Sequence, residues 1–137
     1  MRVVDEDPDG STWADRTRLT VAVGPFVGPV LARVVGMYAA RAELPLDRLN
    51  DAVLVADSIA ARAPAFAVDH RLPVSVRSDR GRLELRVGPL RAGGAERVLE
   101  GAALPEVGSV IDRLTDSVRV RPAAGGDEYL LLTVGAE

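Results

Sequence analysis

Two hydrophobic periods alternate along the chain, and the points where one replaces the other predict its elements. In TRLTVAV, Leu19, Val21 and Val23 alternate with Arg18, Thr20 and Ala22, the two-residue period of a half-buried strand. GPFVGP ends that strand. From Val30 the spacing becomes helical: Val30, Val34, Met37 and Tyr38 form one face, with Leu31 and Val35 beside them, which predicts a helix over 28–41. ELPLD breaks it, and a second helix over 46–62 carries Leu49, Val53, Ala56 and Ala60 on one face. RAPAFAVDHR matches neither period. LPVSVRS and RLELRV then return to a period of two around the turn SDRG and predict a hairpin with Leu72, Val74, Val76, Leu83, Leu85 and Val87 inward. GPLRAGGAERVLEGAALPE, rich in Gly, Ala and Pro, reads as a long loop before a third helix over 106–115 with Val107, Val110, Ile111 and Leu114. DSVRVRP, AAGG and DEYLLLTV close the chain as a second hairpin.

Consecutive hairpins imply a mixed or antiparallel sheet, and three amphipathic helices imply a layer on one of its faces. The expected fold class is therefore α+β, a two-layer sandwich. MRVVDEDPDGSTWADR has acids, Pro8 and Gly10 but no period, so residues 1–16 are expected to be a flexible arm with Trp13 pinning it, and 17–137 a single domain.

Composition narrows the chemistry. The 137 residues, 47% of them hydrophobic, suit one core. Without cysteine the chain has no disulfide, thiolate metal site or thiol nucleophile, and needs no oxidising compartment. No apolar run reaches the ~20 residues of a membrane span, and the acidic N-terminus is unlike a signal peptide, so a cytoplasmic protein with no membrane partner is expected. Every basic residue is arginine, and the formal net charge is −3. That balance argues against direct nucleic-acid binding, although a local basic face remains compatible with it.

The element order and the closing segment GSVIDRLTDSVRVRPAAGGDEYLLLTV carry a resemblance. Val110, Ile111, Arg113, Leu114, Asp116, Val118 and Val120 match the apolar pair, basic residue, Leu, Asp and alternating hairpin that end the anti-sigma-factor serine/threonine kinases. The chain resembles that family, of the histidine-kinase-like ATPase fold, from about Arg18 to Val134. The resemblance implies an ATP and Mg²⁺ site built from three boxes, and this sequence departs from each. Where the family keeps Glu and Asn four apart on the second helix, as base and metal ligand, this chain has Asp57 and Ala61. An alanine offers a metal no oxygen. Where an aspartate reads adenine after the third strand, with glycines following, it has Gly88, Leu90 and Ala92. Where spaced glycines hold phosphate before the last helix, it has Pro105 and Val107, an adjacent Glu106, and only Gly108 nearby. The resemblance then implies a degenerate member: a pseudo-ATPase regulatory module of bacterial transcription and signal transduction. It would have no cofactor and no enzymatic activity, and would bind a sigma factor or an anti-sigma antagonist. The family also implies a homodimer, for which LTVAV is an edge available to pair with its copy.

Two alternatives stay open. One is an active kinase with Asp57 as base and a metal ligand from Asn50 or Asp51, which is weakened because Asn50 lies ~10 Å along the axis from Asp57. The other is an unrelated small ligand in the space a nucleotide would leave.

Arginine supplies the remaining feature. Arg77, Arg82, Arg86, Arg119 and Arg121 take the parity opposite to the valines and leucines, so they are expected on the sheet face away from the helices. Such a face is either solvated edge protection or a docking surface for an acidic protein. Trp13, Phe26, Tyr38, Phe66 and Tyr129 show no interleaving with these arginines, which weighs against a nucleic-acid stacking platform. His70 beside Asp69 is one donor where metal sites need several, and the like-charge spacings Asp112/Asp116 and Glu96/Glu100 read as solvated faces. Ser58, Ser75, Ser78, Ser109 and Ser117 have no second histidine and no lysine to act as a base.

Overall fold

A computed structural model describes residues 13–101, 103–104 and 108–136. In chain order it contains β1 (Asp15–Ala22), α1 (Val27–Arg41), α2 (Leu46–Arg62), a 3-10 turn (Ala63–Phe66), β2 (Arg71–Asp79), β3 (Arg82–Leu90) and α3 (Gly94–Gly101). Then come two short strands, β4 (Ala103–Leu104) and β5 (Gly108–Ser109), followed by α4 (Val110–Leu114), β6 (Ser117–Pro122) and β7 (Glu128–Gly135). Five strands form one sheet in the order β1-β2-β3-β7-β6, every neighbouring pair antiparallel. β4 and β5 pair only with each other. The fold is thus α+β, with four helices among the described residues where the pattern predicts three. No described helix is long and apolar enough to cross a membrane.

Register fixes the two faces. Leu19 lies opposite Val74, Val74 opposite Val87, Val87 opposite Leu130 and Leu130 opposite Val120, so one row of apolar residues crosses all five strands. Because successive side chains alternate, every second residue of β2, β3 and β7 joins that face. Leu72, Val76, Leu83, Leu85, Leu132 and Val134 are all buried there in a single core with α1, α2, α3 and α4. The two long helices use slightly different stripes from those predicted. On α1 the buried residues are Val27, Leu31, Val35, Tyr38 and Ala39, while Met37 is half exposed. On α2 they are Ala52, Val55, Ala56 and Ile59. The predicted Val30, Val34, Leu49 and Ala60 are partly buried and flank the core. The two helices also pack against each other, with Gly36 of α1 against Val53 of α2, so part of each apolar stripe faces the other helix and not the sheet.

The largest departure is α3. Gly93 has a left-handed backbone, and from Gly94 the chain forms two helical turns that bury Ala95 and Val98, where a Gly- and Ala-rich composition reads as loop. The helix predicted over 106–115 is the shorter α4; Pro105, Glu106 and Val107 lie outside the described residues, as do residues 1–12 of the expected arm. The AAGG link of the closing hairpin turns through the left-handed backbones of Gly125 and Gly126.

A single side chain ties α2 to the end of α4 and of β7. Arg48 of α2 donates from Nε to the Gly135 carbonyl at 2.8 Å, from Nη1 to Asp51 Oδ2 at 2.9 Å and the Leu114 carbonyl at 3.3 Å, and from Nη2 to Asp116 Oδ1 at 2.8 Å. Asp116 in turn accepts from the Gly135 N–H through Oδ2 at 2.7 Å. Asp116, expected on a solvated face with Asp112, is instead a part of this clamp. A Cβ at position 135 would stand 2.6 Å from Asp116 Oδ2, which accounts for the glycine there. Since the guanidinium fork serves two carboxylates and two carbonyls at once, Arg48→Ala is expected to lower the unfolding free energy by about 2 kcal/mol in urea titration, and Arg48→Lys to recover less than half of it. An unchanged midpoint for Arg48→Ala would remove the clamp from the account.

Candidate functional site

The positions at which the resemblance places a nucleotide differ sharply in exposure. Asp57 and Ala61 are exposed on the solvent side of α2, one turn apart as their spacing requires. Gly88 is buried at the opposite extreme, in an irregularity between Val87 and Leu90 where the register of β3 with β7 shifts. Its φ is +124°, and an added Cβ would lie 2.9 Å from both the Glu128 carbonyl oxygen and the Leu90 nitrogen. Backbone crowding therefore dictates this glycine, and no carboxylate fits in its place without moving β7. Gly108 belongs to β5 and pairs with Leu104. Pro105 and Val107 lie outside the described residues.

Side chains of the core occupy the region between the end of α2 and the start of β7. Leu90, Ala95 and Val98 are fully buried, and Phe66 packs against them. α3 lies tightly on the end of α2: a Cβ on Gly94 would meet Phe66 Cβ at 2.7 Å, and one on Gly101 would meet Arg62 Nη1 at 2.8 Å. Arg91 donates to the Ala65 carbonyl, and Ala67 bridges to Leu90, which fixes the 3-10 turn against β3. The first turn of α3, where orphan N–H groups and the helix dipole favour an anion, already has one: the Ala95 N–H donates to Glu128 Oε2 at 2.9 Å. Three open surface depressions lie around Asp15, Arg41 and Arg80, around Glu96 and Glu100, and beside Phe66, Ala92 and Arg97; the third touches Ala92 of the expected adenine box, and none of the three touches Asp57, Ala61 or Gly88.

The other sheet face gathers the arginines. Arg16 lies opposite Arg77, which lies opposite Glu84; Arg18 opposite Ser75, Ser75 opposite Arg86, Arg86 opposite Leu131, and Leu131 opposite Arg119. Arg121 lies opposite Tyr129, and Arg82 follows the same parity on β3. All five predicted arginines thus share the face away from the core, joined by Arg16 and Arg18 of β1. Glu84 is the acid inside this array. It pairs with Arg77 in a buried ion pair and approaches Arg119 Nη2 at 3.6 Å. At the hairpin end of the face Asp79 lies 3.5 Å from Arg82.

The aromatic residues do interleave, contrary to the expectation from sequence. The Trp13 ring lies 4.8 Å from the Arg77 guanidinium and 4.1 Å from that of Arg82, and the Tyr129 ring lies 4.9 Å from that of Arg86. Tyr129 was legible, since it has the parity of Leu131; Trp13 precedes β1 and no period locates it. Partial burial holds the Arg86 guanidinium below its ordinary pKa, opposed by Tyr129 and reinforced by the positive charges of Arg18, Arg77 and Arg16. Like charges therefore stand close to one another on this face.

No protein-family model matches the chain, and no curated protein matches it. The site must be read from its geometry. Gly88→Asp, which writes in the adenine-reading carboxylate of the resembled family, is expected to destabilise the fold by about 2 kcal/mol or more through the left-handed backbone and the 2.9 Å contacts, measured by thermal unfolding. A variant as stable as the parent would contradict the tight packing between β3 and β7.

Proposed function

We propose that this chain is a degenerate member of the anti-sigma-factor kinase type of the histidine-kinase-like ATPase fold, and that it acts as a regulatory protein-binding module rather than an enzyme. One observation carries the reading: seven arginines, Arg16, Arg18, Arg77, Arg82, Arg86, Arg119 and Arg121, share a sheet face around the buried Glu84, whereas the position of the adenine-reading aspartate is held by Gly88, a glycine that backbone crowding requires. The partner is an acidic protein surface, such as that of a sigma factor or an antagonist, because planar guanidinium forks give carboxylates paired hydrogen bonds and the crowding of like charge favours an acidic ligand. Sequestration of the partner replaces its phosphorylation. β1 is an edge strand, and pairing with a second copy there would leave the arginine face available in both.

Thermal unfolding tests both halves of the proposal. Saturating Mg·ATP is expected to leave the midpoint unchanged, whereas a ligand at ~100 times its dissociation constant adds about 2.7 kcal/mol and moves a domain of this size by several degrees. An oligoglutamate probe at low salt is expected to bind, and Arg119→Gln with Arg121→Gln to weaken that binding about tenfold, while oligothymidylate binds no better than other polyanions of equal charge. A clear shift with Mg·ATP would make the active-kinase reading correct. Tighter binding of oligothymidylate than of oligoglutamate would replace the protein partner by single-stranded nucleic acid.

A further inference from the structure

The sheet ends at β6 in an edge that no described strand covers. The register of β6 with β7 continues past Pro122 to a bond from the Ala123 N–H to the Asp127 carbonyl at 2.8 Å. Hydrogen-bonded and non-hydrogen-bonded pairs alternate along an antiparallel ladder, so Arg121, Arg119 and Ser117 share the phase of Ala123 and direct their backbone groups to β7. Val118 and Val120 have the other phase. Each points its N–H and its C=O out of the sheet, and Pro122 adds a carbonyl alone. Outside the ladder with β7, no described backbone group bonds to residues 117–122.

The two faces of this edge differ in chemistry. Val118 and Val120 have the parity of the core, but the row through Val74, Val87 and Leu130, all buried, ends on Val120, which is 48% exposed. The helix layer therefore stops short of the edge and leaves an apolar strip beside β6. Arg119 and Arg121 stand on the opposite face; Arg119 approaches Glu84 Oε2 at 3.6 Å and has further guanidinium donors. A second copy of β6 matches this edge poorly, because the longest antiparallel self-pairings set Arg119 against itself or against Arg121. A strand with acids in those places matches it well. We propose that β6 accepts an extended segment of the protein partner as an added strand, whose residues alternate between apolar and acidic. Backbone bonds to Val118 and Val120 hold the segment, its apolar residues extend the strip beside Val120, and its carboxylates meet Arg119 and Arg121. This rests on the reading of the arginine face as an acidic-partner surface, and adds how the partner is held there.

Two capped peptides of equal composition and charge, VEVEVE and VVVEEE, probe the full-length protein at low salt beside oligoglutamate. VEVEVE is expected to bind about tenfold more tightly than VVVEEE, as a few cross-strand pairs contribute, and to slow hydrogen exchange at the Val118 and Val120 amides. Val120→Pro removes an N–H that β7 does not use, so this variant is expected to fold, to lose the preference for VEVEVE and to keep its affinity for oligoglutamate. Equal binding of the two peptides to the parent protein, with no protection of Val118 and Val120, would overturn strand addition whatever the variant does. Oligoglutamate binding that Arg119→Gln with Arg121→Gln weakens would then leave the acidic-partner surface standing. Protection of β1 amides in place of β6 would overturn the choice of edge, and protection that grows with protein concentration without peptide would give β6 to a second copy. A preference for VEVEVE with protected β6 amides, but no oligoglutamate binding, would keep strand addition and overturn the acidic-partner surface.

Discussion

The alternation of side chains across one antiparallel sheet is the constraint from which the remaining features follow. Register carries an apolar row from Leu19 through Val74, Val87 and Leu130 to Val120, so the adjacent rows on the opposite face run from Arg18 to Arg119 and from Arg16 through Arg77 to Glu84. A slip of one residue in any strand would put arginines into the core and valines on the surface, a cost far beyond the few kcal/mol by which such a domain is stable. The helices have one face to cover because of this. The arginines have one face to share for the same reason, and Glu84 supplies the buried counter-charge that lets Arg77 lie under Trp13.

The same packing constrains what the molecule can bind. α3 fits against the end of α2 only because Gly94 and Gly101 lack side chains, and it brings Ala95 and Val98 into the core alongside Leu90. Gly88 and Glu128 then hold the neighbouring strands close, with the Glu128 carboxylate already on the first turn of α3. These contacts fill the end of the core between α2 and β7 with apolar side chains. The arginines lie on the opposite, outer face of the sheet, which is where the proposed acidic partner would meet them.

Much of this was readable in the residues, for reasons of periodicity. The strands of both hairpins, the two long helices and the common parity of Arg77, Arg82, Arg86, Arg119 and Arg121 all rest on repeats of two or near 3.6, which survive in any context. α3 was missed because Gly93, Gly94 and Gly101 look like loop residues, although Ala95, Val98 and Leu99 have helical spacing and Glu96 stands in the first turn. Long-range contacts leave no such trace. Nothing near Arg48 points to Asp116, and nothing near Trp13 points to Arg82; these pairs exist only once the sheet has closed. The reason for Gly88 was likewise hidden, because a missing aspartate and a sterically required glycine are the same letter in sequence.

Amide chemical-shift mapping of the isotopically labelled protein tests the central claim most directly, because one spectrum reports both faces of the sheet. The account predicts that oligoglutamate shifts amides of β3, β7 and β6 around Glu84, Arg86, Leu131 and Arg119, and that Mg·ATP shifts none selectively. Selective shifts from Mg·ATP along α2 near Asp57 and around Gly88, with the arginine face silent to the acidic probe, would contradict it.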